Sequence, residues 1–410
     1  MHLAGKVESR ATGQRRSATA EIQGLVSRRF EAVRQAFAEN FARRHELGAA
    51  CCVYVRGERV VDLWGGIRNQ QTREPWERDT MVIVYSATKG LAAMTLALAH
   101  SRGWLDYEER VCRYWPEFAQ HGKEQITVRQ LLSHQAGLHA LDQPLDRRLI
   151  ADRDRLAVVL ARQTPAWTPG TRQAYHAITL GLYEGELLRR VDPRHRSLGQ
   201  FFQDEIASPL GLDAYIRLPD SIPNARLATL ARPTLIEMLR GFGPRFMLEA
   251  MSPRSNINRA LRGSELPHDE SRVYARNLES PSGGGVGTAR AIAQAYSVFA
   301  TGGSELGLRP ATLDLLAASA VPPTGGFHDE CMKSENIQFS LGFMKPTAQW
   351  PFGSARSYGA PGSGGALGFA DPEAGIGYAY VTSQMGTRLT GDPRDVALRE
   401  ALDSAIQAGR

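Results

Sequence analysis

The chain has 410 residues, of which 42% are apolar and 22% charged, and this composition is typical of a soluble globular protein with a large core. It excludes disordered and fibrous proteins. The formal net charge is +6, but the basic residues fall in scattered pairs rather than in a dense stripe, so we expect no nucleic-acid partner. No apolar run is long enough to cross a bilayer, and we expect no membrane span.

The first 20 residues are rich in charged and small residues, and they predict a mobile basic tail. They lack the apolar run of a secretory signal, which favours a cytoplasmic protein. The four cysteines, Cys51, Cys52, Cys112 and Cys331, do not have metal-ligand spacing, and we expect them to be reduced and to bind no metal. Adjacent Cys51 and Cys52 are expected to point to opposite faces of a strand.

The first three elements are read from periodicity. Apolar residues at helical spacing in "LVSRRFEAVRQAFAENFARR", residues 25–44, predict an amphipathic opening helix. The stretch "GAACCVYVRGERVVDLWGG", residues 48–66, holds two β-rich runs separated by Gly57 and predicts an antiparallel hairpin. The stretch "SATKGLAAMTLALAH", residues 86–100, is apolar on nearly every side after Lys89, which is typical of a core helix.

Residues 105–280 are mostly helical and irregular in pattern, with loop signals such as "WTPGTR" and "LPDSIPN". The chain then returns to strands in "ALGFADP" and "IGYAYVTSQ", joined by the turn "PEAG", and ends in a helix over "DPRDVALREALDSAIQAG". This order predicts an α+β fold. Residues 21–104 and 281–410 build an antiparallel sheet flanked by helices, and residues 105–280 form an inserted, mainly helical domain.

Ser86 and Lys89 are three residues apart at the start of the core helix, so they share one face. Backbone N–H groups at a helix start are unpaired and suit an oxyanion. A buried ammonium loses hydration, so the pKa of Lys89 is expected to fall and its neutral amine to become available as a base. Ser-x-x-Lys is a short motif that also arises by chance, and a lysine that snorkels to solvent from an exposed helix is common.

Two further segments carry polar or glycine signals. Tyr175 follows a Pro-Gly turn and precedes a helix, which places its hydroxyl at the junction with the sheet, although a tyrosine there also serves packing alone. In "YGAPGSGGALGF", residues 358–369, several glycines lie beside a strand, a pattern typical of a close backbone approach by a ligand or of a plain hairpin loop.

The segments "SATK", "YHA" and the glycine-rich strand, in this order, resemble the penicillin-recognising serine hydrolases. The resemblance is strongest to the family VIII carboxylesterases, which share the class C β-lactamase fold. It extends over residues 22–405 and includes the stretches "ITVRQLLSHQAGL", "SPSGGGVGTARAIAQAYSVFA", "FSLGFMKP" and "GALGFADPEAGIGYAYVTSQMG".

The resemblance implies that Ser86 is the nucleophile, Lys89 its partner base and Tyr175 a second proton carrier. It also implies an oxyanion hole from the N–H groups of Ser86 and Ser363, within a substrate-binding loop that includes Gly362 and Gly364.

Two positions depart from the pattern of the β-lactamases. Ala177 stands where β-lactamases have asparagine, and Ala360 where they have a cation, so β-lactam recognition is disfavoured. Arg356, four residues before Ala360, is the residue best placed in sequence to supply the missing charge.

These observations predict a serine esterase that hydrolyses short-chain carboxylic esters through an acyl-enzyme, with no cofactor and a small-molecule ester as its partner. The alternatives are a β-lactamase or D-alanyl peptidase, an acyltransferase using the same site, and a non-catalytic binding relative. A Gly-x-Ser-x-Gly elbow is absent, which disfavours the α/β-hydrolase fold. The oligomeric state has no signature in the sequence.

Overall fold

In the computed structural model, which describes residues 21–242, 244–388 and 390–408, strands from both chain ends form one antiparallel sheet. Its strand order is β1-β3-β2-β11-β10-β9-β8-β7, and a second sheet has the order β4-β6-β5. The strands are β1 Ile22–Val26, β2 Gly48–Val55, β3 Glu58–Gly66, β4 Val82–Ile83, β5 Ala214–Tyr215, β6 Val286–Gly287, β7 Phe339–Ser340, β8 Phe343–Met344, β9 Tyr358–Pro361, β10 Leu367–Asp371 and β11 Ile376–Thr382.

Helices cover both faces of the large sheet and are the main regular structure between residues 105 and 280. They are α1 Glu31–Arg43, α2 Thr88–Ser101, α3 Val111–Tyr114, α4 Val128–Leu132, α5 Arg147–Ala151, α6 Arg153–Arg162, α7 Thr179–Val191, α8 Leu198–Phe202, α9 Leu235–Phe242, α10 Pro244–Met251, α11 Asn256–Ala260, α12 Ala289–Ala300, α13 Pro310–Ala317 and α14 Pro393–Gln407. Among the described helices, none has the length and apolar character that a membrane crossing requires. The predicted α+β class is confirmed.

Both predicted hairpins are confirmed, as β2–β3 and β10–β11. Strand β2 also pairs with β11, so the first part of the chain and the last part are neighbours in the centre of the sheet. Cys51 packs in the core beneath α1 and α14, whereas Cys52 packs in the core on the α2 and α12 side. The two thiols therefore face opposite ways, as predicted, and both are free.

The prediction of a helix from residue 25 was wrong at its start. Residues 22–26 form β1, which pairs with β3 along the sheet edge, and helix α1 begins only at Glu31. Main-chain bonding to the β3 edge, extended by the Ser27 N–H to the Val60 carbonyl at 2.8 Å, outweighs the local helical pattern. The tail predicted for residues 1–20 lies outside the described residues.

The second sheet places the start of α2 at the junction between the large sheet and the helical region. Strand β4, from the segment before α2, pairs with β6, which pairs in turn with β5 from the helical region. Ser86 follows β4 by three residues. Helix α2 is buried along nearly its whole length, which confirms the predicted core helix.

Helix α12 lies directly on the backbones of β10 and β11 because glycines face it. A Cβ on Gly377 would lie 2.3 Å from the Ser297 backbone nitrogen and 2.4 Å from the Ala293 carbonyl oxygen. Those atoms belong to the helix backbone and cannot rotate away, so glycine is required for this packing distance.

We expect Gly377→Ala to lower the free energy of unfolding by about 2 kcal/mol or more, because it overpacks the contact between β11 and α12. Urea unfolding followed by circular dichroism measures this. Gly185→Ala in α7 is the matched control: its Cβ would meet only the Leu198 Cβ, at 4.0 Å. Helix propensity then predicts a gain of up to about 1 kcal/mol. Equal stability of the two variants would contradict the packing argument.

Candidate active site

Ser86 lies in a single 3₁₀ turn, Tyr85–Ala87, that runs directly into α2. Its side chain is partly exposed, whereas the residues that follow it are buried. The preceding residue, Tyr85, has φ +46°, an uncommon conformation for a non-glycine residue. The Thr88 hydroxyl holds this turn by donating to the Tyr85 carbonyl at 2.5 Å and accepting from the Gly285 N–H at 2.9 Å. The turn is therefore fixed against the "SPSGGGVG" segment.

The Lys89 side chain is buried, and three oxygens surround its nitrogen. Nζ lies 3.2 Å from Ser86 Oγ, 2.7 Å from the Ala177 carbonyl oxygen and 2.8 Å from the Ser282 carbonyl oxygen. An ammonium has three protons to donate, so the three oxygens satisfy all of them. Lys89 is thus held in place without a carboxylate within ion-pairing distance in the described chain.

Burial lowers the pKa of Lys89 to about 7, and the Glu184 carboxyl, on α7, opposes this shift. Glu184 is itself fully buried, and neither of its carboxyl oxygens has a hydrogen-bond partner in the described residues. Burial also raises the pKa of the Glu184 carboxyl, which the charge of Lys89 partly offsets. Near neutral pH the lysine therefore has ready access to its neutral form.

Tyr175 lies in the loop before α7 and completes a cluster with Ser86 and Lys89. Its hydroxyl is close enough to the Ser86 side chain to influence the phenol pKa, and Lys89 Nζ lies 4.8 Å from the centre of its ring. The ring stacks on Phe339 at 5.6 Å. Burial raises the pKa of the Tyr175 phenol above its usual value, so the hydroxyl stays protonated at neutral pH.

Two buried histidines fix the Tyr175 loop. The backbone N–H of His176 donates to His134 Nδ1 at 2.9 Å, and the backbone N–H of Leu138 donates to His176 Nε2 at 3.0 Å. His176 therefore carries its proton on Nδ1, which lies 3.0 Å from His134 Nδ1. Burial lowers the pKa of both imidazoles, so both remain neutral. The His134 ring also packs on the Tyr175 ring at 5.1 Å.

The end of strand β9 passes close to the Ser86 turn. A Cβ on Gly362 would lie 2.1 Å from the carbonyl oxygen of Val84, two residues before Ser86. Ser363 follows with an exposed side chain, and its N–H makes no hydrogen bond within the described residues. Gly364 has φ +92°, and a Cβ there would lie 3.2 Å from Met385 Cγ. The loop predicted from the sequence is thus beside the Ser86 turn.

The structure does not place Arg356 in this cluster. The Arg356 guanidinium is half exposed and pairs with Asp314 on α13 at 3.2 Å. It precedes β9, whereas the Ser86 turn contacts the residue that follows β9. Ala360 is buried. A Cβ added to Gly90 would lie 3.2 Å from the Ala360 Cβ and 1.9 Å from the Tyr296 hydroxyl. Close packing explains Gly90.

Sequence reasoning missed the groups that hold Lys89. Two are main-chain carbonyls, of Ala177 and Ser282, and carbonyls have no side-chain signature. The carbonyl of Ala177 makes its contact whichever side chain stands there. Glu184 was detectable in principle, as one of two acidic residues in a largely apolar stretch of α7, "LGLYEGELL". His134 lies in the stretch "LLSHQAGL", which was used only for the family resemblance, and its own role was not predicted.

We expect Lys89 to titrate near pH 7 in the folded protein, because burial disfavours its charged form. The chain has five lysines, so 13C NMR with lysine labelled at Cε gives few signals, and Lys89→Met assigns this one. Glu184→Gln should lower the Lys89 pKa further, because it removes an opposing negative charge. The buried Lys345, whose pKa burial also lowers to about 7, is the control and should not move. A Lys89 signal that titrates near 10 would contradict this site.

The comparisons with known proteins agree with this geometry. Residues 33–403 match the Beta-lactamase family model. The Esterase/beta-lactamase LipL of Mycobacterium tuberculosis is 30% identical over 380 residues, which cover 89% of this chain and 83% of LipL.

Two solved structures are similar over nearly their whole length. A family VIII carboxylesterase superposes with a TM-score of 0.82 and 35% identity, covering 94% of this chain and 100% of the other. A penicillin-binding protein homologue from Caulobacter crescentus superposes with a TM-score of 0.81 and 35% identity, covering 94% of this chain and 100% of the other. The chain therefore belongs to the beta-lactamase family and is a serine hydrolase of the group that includes the esterases with this fold.

Proposed function

We propose that the protein is a carboxylesterase that hydrolyses short-chain esters through an acyl-enzyme on Ser86. The observation that carries the proposal is the placement of Lys89 Nζ between Ser86 Oγ and the carbonyls of Ala177 and Ser282. Ester hydrolysis is supported by the similarity to a family VIII carboxylesterase and to LipL, which is named as an esterase as well as a beta-lactamase.

The three contacts of Lys89 suit a base. When the amine is neutral, its two protons bond to the Ala177 and Ser282 carbonyls, and the lone pair then faces Ser86 Oγ. The Ser86 proton moves to Nζ as Oγ forms a bond to the ester carbonyl carbon. The resulting ammonium keeps the same three oxygens as acceptors, because Oγ retains a lone pair after it is acylated, so both protonation states of Lys89 are accommodated.

Tyr175 suits the second proton transfer. Its phenol is protonated at neutral pH and lies beside the Ser86 side chain, so it can pass a proton to the departing alkoxide. The phenol regains that proton from the Lys89 ammonium, whose nitrogen lies 4.8 Å from the ring centre. The ester C–O bond breaks, the alcohol leaves, and water repeats the sequence to release the acid.

The oxyanion is assigned to the N–H groups of Ser86 and Ser363. The first lies in the opening turn of a helix, where N–H groups have no partner within the helix. The second is unbonded within the described residues and follows Gly362, which touches Val84. Two fixed donors that converge on one carbonyl oxygen stabilise the tetrahedral intermediate.

Ser86→Ala should lower kcat/KM for p-nitrophenyl butyrate by roughly 10⁴-fold or more, as expected when a catalytic nucleophile is removed. Loss of one hydroxyl at a helix start should cost at most about 2 kcal/mol of stability. Intact-mass measurement after treatment with a p-nitrophenyl phosphonate should show one adduct on the parent and none on the variant.

Ser357→Ala is the matched control, because Ser357 is a buried serine beside β9 whose hydroxyl has no partner in the described residues. It should keep both the adduct and the turnover. A folded Ser86→Ala protein that still turns over the ester would overturn the assignment of the nucleophile.

Neutral esters should be preferred over anionic β-lactams. Ala360 provides no cation, and Arg356 is held at the surface by Asp314. A hydrogen bond to a charged group is worth about 1.5–3 kcal/mol, so its absence should cost an anionic β-lactam roughly ten- to over a hundredfold in kcat/KM. We expect rapid turnover of p-nitrophenyl butyrate and weak turnover of nitrocefin in parallel assays. Equal kcat/KM for the two substrates would favour the β-lactamase alternative.

A further inference from the structure

A cavity of about 280 Å³ lies between α6 and α7, away from Ser86. Its walls combine polar side chains with buried aliphatic ones, and the aliphatic residues include Ile150, Leu156, Leu160, Leu182 and Pro281. The next residue after Pro281 is Ser282, whose carbonyl holds Lys89. The cavity volume is near the lower end of small-molecule sites, roughly 300–1,000 Å³.

Glycine at position 185 keeps this cavity open. Gly181 and Gly185 are four residues apart on one face of α7, and both line the cavity. Gly181 is required by packing, because its Cβ would lie 2.5 Å from the Ser282 nitrogen. Gly185 has no such reason: its Cβ would touch only the Leu198 Cβ at 4.0 Å. A mid-helix glycine costs about 0.5–1 kcal/mol of stability relative to alanine. At position 185 the structural effect of the glycine is the open space of the cavity.

The polar groups of the cavity leave positive charge uncompensated. Arg189 is neutralised by Glu186 and Asp154, at 2.8 and 2.9 Å. Arg153 and the half-buried Arg217 make no hydrogen bond or ion pair with any described residue. Among the side chains that line the cavity, the Glu279 carboxylate forms no ion pair, and it accepts a hydrogen bond from the Ser197 hydroxyl at 2.6 Å.

An adjoining open groove shares Arg153 and Arg189 with the cavity and adds Arg148 at its mouth. The Arg148 side chain, like that of Arg153, makes no hydrogen bond or ion pair with a described residue. The groove also holds Asp152 and Asp154, so its three arginines leave the mouth with a net positive charge, whereas the cavity offers aliphatic surface on α6 and α7.

We propose that this cavity binds a medium-chain aliphatic carboxylate, with its alkyl chain between α6 and α7 and its carboxylate at Arg153 or Arg217. The aliphatic walls favour an alkyl chain over a flat ring, because the described lining has no aromatic side chain on which a ring could stack. Arginine pairs with a carboxylate through two parallel hydrogen bonds. The site is separate from the Ser86 cluster and does not depend on the proposed esterase function.

The test is calorimetric titration of the full-length protein with sodium octanoate, below its micelle concentration. Gly185→Leu should weaken binding at least tenfold, because its side chain fills the cavity. Arg153→Gln combined with Arg217→Gln should also weaken it at least tenfold. The matched control is Arg155→Gln combined with Arg162→Gln, which removes the same charge from α6 at exposed positions outside the cavity lining.

Ser86→Ala and the control pair should bind octanoate as the parent does, and 1-octanol should bind the parent at least tenfold more weakly than octanoate. Absence of binding at millimolar octanoate would overturn the proposal. So would parent-like affinity of the Arg153 and Arg217 double variant, a result that remains decisive if Gly185→Leu fails to fold. Loss of binding in Ser86→Ala alone would place octanoate in the Ser86 cluster and equally overturn it.

Discussion

The burial of one lysine nitrogen among three oxygens is the constraint on which the site depends. Taking an ammonium out of water is costly unless its protons are bonded, and Lys89 has no carboxylate close enough in the described chain to form an ion pair. The oxygens come from three segments: the start of α2, the loop before α7 and the loop before β6. The cluster therefore forms only when the sheet and the helical region are assembled against each other.

That assembly demands close approach of backbones around the start of α2. Glycine at 362 lets the end of β9 touch the Val84 carbonyl, and glycine at 90 admits the Tyr296 hydroxyl. Tyr85 is held at a positive φ, a conformation that costs of order 1–3 kcal/mol and persists only where the surroundings fix it. The Thr88 hydroxyl and the Gly285 backbone supply that fixation. Strain and tight packing thus keep Ser86 in one position.

The sequence predicted the parts of this structure that local periodicity determines. Both hairpins, the core helix and the terminal helix α14 follow from alternating or fully apolar runs with turn residues between them. Strand β1 was missed because an edge strand depends on a partner far along the chain, and residues 25–44 have helical spacing throughout. Arg356 was misplaced because distance along the chain does not show which end of a strand faces a site.

For the site, side-chain spacing was informative and main-chain chemistry was hidden. Ser86 and Lys89 are joined by helical geometry, so their contact was predictable, whereas the two carbonyls that orient Nζ arise from loops about 90 and 190 residues away. This difference also explains how the chain tolerates alanine at 177. The contact to Lys89 comes from the backbone, so the side chain there is free to serve substrate recognition. With Ala177 and Ala360 the cluster keeps the groups that we propose for proton transfer and lacks polar side chains at two positions beside them. At position 177 the backbone carbonyl holds Lys89 whatever the side chain is, so the side chain there can change without loss of that contact.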